Sequence, residues 1–470
     1  MRQTYFVKTS TTLALAATVA LSACSHGSVG AVPASQGGQP VAPSPPSNFD
    51  GASGASTDSQ YLQTAADISV SGAPTPILTA TVAGGRSVYL QSDGRFYPTS
   101  PCIAYLYITV DGVKVTDDSL IDWTASTNRQ QHSFDVIGAA ALSPGNHTIT
   151  LTAQGSGSFV VGAPTSLSIL INTGTTIKKY ALSSDTGVLS FNTAGIQEGQ
   201  PLPRISFGSI AALVATGQPV VAALSGRTYN GGYNCCYGDP LWNISIDGQA
   251  ERNAYSDWTD NDIFTGAELQ APMFSHAYFD GLASGYHTLS ADASALPYTP
   301  PLVDTVQYRI GAGTQLIVLW GGMAVSGRGT LVNDQYHRLD YICVGSSSGS
   351  PGCPSVNTDV TIATFSITVP STDSGVVFLT AKSRVQGDSS DAGGTVSFWI
   401  DVDGVERGSL GVQQLQYPNS VSTRTISASY LATGANRLAA GNHQISVHAK
   451  VTGSFVHLSL TKDLPLIWFD

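Results

Sequence analysis

The run Val396-Ser-Phe-Trp-Ile-Asp-Val-Asp403-Gly404, followed after a loop by Leu438-Ala-Ala-Gly441-Asn-His443-Gln-Ile-Ser-Val447, decides how the chain is read. It is written three times. One earlier copy is Trp242-Asn-Ile-Ser-Ile-Asp247-Gly248 with Leu282-Ala-Ser-Gly285-Tyr-His287-Thr-Leu289. The other is Tyr107-Ile-Thr-Val-Asp111-Gly112 with Leu142-Ser-Pro-Gly145-Asn-His147-Thr-Ile-Thr-Leu151. Aspartate precedes histidine by 36, 40 and 40 residues, while successive aspartates lie 136 and 156 apart. Spacing that is steady within a copy and looser between copies is the trace of duplicated units joined by unequal connections.

In each copy an apolar run leads into Asp-Gly, which predicts a strand and then a tight hairpin turn. Gly-x-His then opens a second strand, behind a leucine that points into a core. Residues 77–82 and 87–90 read as two more strands separated by Gly84-Gly85. Residues 210–224 line up with 365–379, and 315–320 with 464–469, so the repeat extends well beyond the Asp-Gly strand. No stretch holds a helical period. The predicted fold class is all-β: three tandem β-sandwich, jelly-roll-like modules over residues 61–176, 177–325 and 326–470.

Composition agrees. A chain of 470 residues has room for about three domains, each with its own core. Charged residues make up only 11%, hydrophobic ones 42%, and glycine fills 49 positions, the balance of secreted β proteins rich in turns. A net charge of −11 with no basic stripe weighs against nucleic acid, whose phosphates call for a cationic surface.

Residues 1–23 carry Arg2 and Lys8 ahead of a short apolar run, the form of a cleaved signal peptide. Leu21-Ser-Ala-Cys24 resembles the lipobox of bacterial lipoproteins, which implies cleavage before Cys24 and lipidation of its thiol. Ser25 is not the aspartate of an inner-membrane retention signal, so the expected location is the outer membrane, reached through the lipid alone. Residues 24–60, rich in Gly, Ser and Pro, have too little apolar surface to offset chain entropy and are expected to act as a flexible spacer. The third module is expected to stop with its final strand.

A strand ending in Asp-Gly, a tryptophan 11 or 12 residues on (Trp123 and Trp258) and a later Leu-x-x-Gly-x-His resemble bacterial carbohydrate-binding jelly rolls. Galactose-binding-like modules and the protective-antigen-type domain are among these. The third module, closing at Trp468-Phe469-Asp470, is similar to tumour-necrosis-factor-like and complement-type jelly rolls. The first resemblance implies sugar recognition. The second implies self-association through the third module.

The repeated His147, His287 and His443 invite a catalytic or metal-binding reading, but a histidine at the same turn in every copy more simply satisfies a local backbone hydrogen bond. Asp111, Asp247 and Asp403 are turn residues on the same argument. Recognition is to be sought where the copies differ, in the segment before the Asp-Gly strand. There Phe96, Tyr97, Tyr229, Tyr233 and Tyr237 stand among Gly and Asn, able to stack on sugars or meet a protein. Asp257, Asp260 and Asp262 place three carboxylates in six residues, a weak candidate for Ca²⁺ and the only cofactor suggested. Cys343 and Cys353 bracket a Gly/Ser loop suited to a disulfide. The adjacent Cys235 and Cys236 form a vicinal bridge, or one of them pairs with Cys102. Only four glutamates occur, and no His-Glu-x-x-His is present.

The expected function is therefore a non-enzymatic, lipid-anchored surface protein that binds glycan or a protein partner through its module loops. Two other classes stay open: a structural or assembly component of the envelope, with the third module forming a homo-oligomer, and a polysaccharide-acting enzyme with an unrecognised site.

Overall fold

Every Asp-Gly of the repeat closes a two-residue hairpin. The computed structural model describes residues 59–116, 118–123, 131–171, 175–192, 203–230, 238–250, 256–257, 270–279, 281–297, 305–321, 330–331, 341–345, 354–369, 376–387, 394–415, 422–453, 456–459 and 466–469. Val110 faces Val113, Ile246 faces Gln249 and Val402 faces Val405 across the turns. Both central residues take positive φ: 51° and 79° at Asp111-Gly112, 48° and 77° at Asp247-Gly248, 53° and 75° at Asp403-Gly404. This is the type I′ turn, whose twist matches that of the strands and which Asp and Gly enter at least steric cost.

The described regular structure is strand, apart from one short 3-10 turn at Gly434–Asn436. Strands from Gln60 to Ile171 form two sheets. One runs Gln60–Gln63, Ser158–Ile171, Ser87–Pro98, His132–Ala141. The other runs Thr75–Ala83, Asn146–Gly155, Cys102–Val110, Val113–Lys114. Strands from Thr176 to Trp320 form a second pair of sheets, and those from Thr330 to Phe469 a third, all joined by antiparallel pairing and none closed into a barrel. The first pair begins at Gln60, and Thr176 already pairs with Trp320 of the second.

Within each pair the sheets close face to face over buried aliphatic and aromatic side chains. Val82, Leu106 and Ile149 meet Leu90, Phe134 and Leu167 in the first. Trp242, Ile244 and Leu289 meet Val220, Leu224 and Val318 in the second. Ile367, Phe398 and Val447 meet Leu379, Ile426 and Ala428 in the third. Alternation along Gly394–Val402, buried at every second residue, is the period of a strand with one face in the core and the other outward.

The other sheet of each pair faces the remaining pairs, and the contacts run in a cycle. Ser119–Trp123 of the first pair touches Gln270–Phe279 of the second, Ser256–Asp257 of the second touches Ser422–Ala432 of the third, and Val405–Leu415 of the third touches His132–Ala141 of the first. Tyr89, Ile137, Phe378 and Leu431 join the second core cluster from the flanking pairs. Ser422–Ala432 of the inner sheet of the third pair thus packs within the chain.

Where the inner sheets meet, the packing turns polar. Asp93, Ser225 and Lys382 each stand two residues before an arginine (Arg95, Arg227, Arg384) on matching strands, and all three are buried. Lys382 Nζ lies 2.8 Å from Asp135 Oδ2, which also accepts from Gln91 Nε2 at 2.9 Å. Asp93 Oδ1 accepts from the hydroxyls of Ser166 (2.6 Å) and Ser429 (2.5 Å), and its Oδ2 from Ser409 (2.6 Å). Ser225 donates to the Asp135 carbonyl at 2.8 Å, and the Thr380 hydroxyl lies 3.2 Å from His276 Nδ1. Burial pushes the Asp135 carboxyl up to about 6 against the pull of Lys382, and raises Asp93 despite its serine donors. Burial also lowers the Lys382 ammonium and holds His276 well below its usual value. Such a network adds little net stability over apolar packing, but losing one partner leaves a buried charge alone.

Candidate functional site

The residues singled out from the sequence fall into distinct places. Phe96 is core: at 1% exposure its ring packs on His132, Phe134 and Phe159, so its role as a binding residue is corrected. The strand Ser87–Pro98 runs straight through the Gly-Arg-Phe-Tyr segment read as a loop, and alternation sends Phe96 inward. Tyr97, on the opposite face, is half-buried and donates its hydroxyl to Asp67 at 3.0 Å. Tyr229 lies in the strand Val220–Asn230 and Asp257 in the strand Ser256–Asp257. Tyr233, Tyr237, Asp260, Asp262, Cys24, Cys235, Cys236 and Cys353 lie outside the described residues, whereas Cys343 is on the strand Tyr341–Gly345. Cys102 is buried in the first core.

The three repeated histidines build one device. His147 Nδ1 lies 2.6 Å from Asp111 Oδ2 and its Nε2 2.8 Å from the Ser143 carbonyl. His287 repeats this with Asp247 (2.7 Å) and Ala283 (2.9 Å), and His443 with Asp403 and Ala439, both at 2.7 Å. The other carboxylate oxygen of each aspartate accepts the backbone N–H of the residue after the histidine, at 2.8, 2.8 and 2.9 Å. Both ring nitrogens are engaged, so each imidazole ties two chain segments together and has no free lone pair for catalysis or metal binding. Asp111 raises His147, as does the Ser143 carbonyl. The Ala283 carbonyl and Asp247 raise His287. At His443 partial burial pulls down but is outweighed by the Ala439 carbonyl and Asp403.

A different cluster stands on the outer sheet of the third pair, where cross-strand register, not sequence proximity, assembles it. Trp399 faces His448 across neighbouring strands, the rings stacked at 5.5 Å with 16° between their planes. His448 Nδ1 lies 2.8 Å from Asp359 Oδ1, and its Nε2 lies 3.0 Å from Ser446 Oγ and 3.4 Å from Asp401 Oδ2. Glu406 is in register with Asp401, and its carboxyl is raised by partial burial and then by Asp401 and Asp359. Asp401 Oδ1 is shielded from solvent and finds no hydrogen-bond partner among the described residues. Trp399 itself sits at a bulge between Phe398 and Ile400, a device that re-aims a side chain. Nothing in the sequence periodicity could have joined Asp359, Trp399 and His448, which meet only once the strands are paired.

Asp359, His448 and Ser446 have the donor order of a hydrolytic triad, but the setting lacks the rest of one. Ser446 lies on the strand Gly441–Gly453, flanked on both sides by Asp359–Val369 and Gly394–Val402, so its backbone N–H groups are spent in the sheet ladder and offer no oxyanion hole. Asp401 competes for the same ring nitrogen. A shallow depression of about 230 Å³ lies beside Asp403, Arg407, Tyr430, Asn436 and Arg437, and its lining takes in none of Asp359, Ser446 and His448.

No protein-family profile and no curated protein sequence matches the chain. Among solved structures it is similar to dimeric latent PorU from Porphyromonas gingivalis at a TM-score of 0.18 and 10% identity, over 83% of this chain and 34% of that one. The chain thus spans about a third of that protein's length.

Proposed function

We propose that the chain is a lipid-anchored surface protein without catalytic chemistry, which binds a glycan or a protein partner on the outward surfaces of its β-sandwich scaffold. One observation carries the reading: what the copies share is consumed by the scaffold, while a cluster peculiar to the third copy lies on an outward sheet face. The His–Asp clamps close on backbone carbonyls, whereas Trp399, His448 and Asp359 occupy a sheet face that no other described strand covers. Aromatic rings with hydrogen-bonding neighbours suit sugar faces and protein interfaces alike. The lipobox-like Leu21-Ser-Ala-Cys24 and the Gly/Ser/Pro spacer support an outer-membrane tether that lets the folded part reach away from the bilayer.

The test is a glycan array probed with the full chain in mild detergent, alongside crosslinking on intact cells. Saturable binding of a glycan class or one reproducible surface protein is expected, and its absence in both rejects the reading. Cys24→Ser should release the protein from the membrane fraction.

A further inference from the structure

Resting on that reading, we infer that the face around Trp399 and Asp401 binds the protonated amine of a glycan built from free amino sugars. The first copy holds the precedent. There Tyr107 holds the place of Trp399, four residues before Asp-Gly, and Lys114 three residues after Asp111 sets its ammonium 5.5 Å from the Tyr107 ring centre. An alkylammonium therefore fits over the aromatic ring at this position, the usual cation–π arrangement. In the third copy the residue three after Asp403 is Glu406. The internal cation is replaced by a carboxylate, and the larger indole stands where the phenol was.

The carboxylates around the indole are consequently under-neutralised. Asp359, Asp401 and Glu406 face the cluster. Among the described residues, the basic side chains there are His448, whose ring nitrogens reach two of them, and Lys450, in register with Asp359. Arg407 lines the separate depression beside Tyr430. Asp401 Oδ1 still lacks a donor among the described residues. That oxygen is closed to solvent, but the Asp359 and Glu406 carboxylates beside it are exposed, and a cation supplied from outside would stand against them and relieve Glu406. The second copy offers no such place, because Asn243 and Asp292 stand at the matching positions, both buried, with Asp292 already bound by Ser245 at 2.6 Å.

The occupant is a sugar and not a basic peptide because the strands bearing Trp399 and His448 are both flanked on each side. Neither of these two strands offers a free edge for a peptide backbone to extend. A flat pyranose instead lays its C–H face on an indole and turns hydroxyls to carboxylates and to Ser446.

Isothermal titration of the full chain at pH 6 with a β-1,4 glucosamine hexamer, its fully N-acetylated form and hexalysine tests this. The free-amine sugar should bind, with the acetylated form about tenfold weaker or more, and Asp401→Asn and Trp399→Phe should each weaken it by about tenfold or by a few-fold respectively. Both variants keep the shape of the sheet face, and an unchanged melting temperature separates a lost contact from a lost fold. Equal binding of the two sugars, tighter binding of hexalysine, indifference to Asp401→Asn or no binding would each overturn the inference. If the array instead finds a neutral glycan unaffected by Trp399→Phe, this assignment falls while the surface-binding reading stands.

Discussion

His443 and Asp403 hold each other at 2.7 Å across a turn whose aspartate has left-handed backbone, and the far nitrogen of the same ring reaches the Ala439 carbonyl at 2.7 Å. Two acceptors on one imidazole are satisfied only by the doubly protonated ring. The three clamps therefore share one pH signature. Their histidines are raised above 6.5, so that contribution is complete below 6.5 and lost as pH climbs through the raised values. Their aspartates are lowered below 3.8, so that part persists above 3.8 and is lost only as pH falls through the lowered values. Replacing all three histidines by glutamine should cost more melting temperature at pH 5.5 than at pH 8.5. An equal loss at both would show that the rings act without their charge.

Asp403→Ala should destabilise by about 1–2 kcal/mol in denaturant unfolding, because alanine pays the left-handed penalty and leaves the Gln444 N–H without its 2.9 Å acceptor. Asp403→Asn keeps the backbone preference and an acceptor oxygen, and should cost less than half as much.

Lys382→Met leaves Asp135 and Asp93 buried with no countercharge, and a loss of about 3–5 kcal/mol is expected in the same assay. Adding Asp135→Asn should recover part of it. Asp135 also has a pH signature of its own. With its carboxyl at about 6 and the unfolded one near 3.8, the native state takes up a proton between those values that the unfolded chain does not, so this group favours folding as pH falls. Asp135→Asn removes that slope.

His276 acts in the opposite sense. Burial keeps it neutral in the fold, so its contribution is present above 6.5 and is lost as acid protonates the unfolded chain. Urea unfolding of His276→Gln should show a shallower loss of stability from pH 7 to pH 5 than the parent, and a steeper one would place the charge elsewhere.

What the sequence disclosed was turn chemistry. Asp-Gly and Gly-x-His specify backbone angles and local hydrogen bonds, so the hairpins and the scaffold role of His147, His287 and His443 were legible without coordinates. Phe96 misled because one glycine and one proline made a strand look like a loop, and only the alternation of Ser87–Pro98 shows which way the ring points. Nothing in the sequence marks Asp93, Asp135 and Lys382 as buried, because a strand's outward face gives no hint that another sheet will cover it. Trp399, His448 and Asp359 come from three strands, so their meeting depends on register that no local pattern encodes.

A ring of identical subunits must repeat every side chain around its centre, so an aspartate at one inner position would confront two more. Here the three inner positions are encoded separately, as Asp93, Ser225 and Lys382. Linkage in one polypeptide frees each copy to mutate alone, which lets a negative charge find a positive neighbour at the hub and lets a single copy acquire an outer surface its siblings never needed.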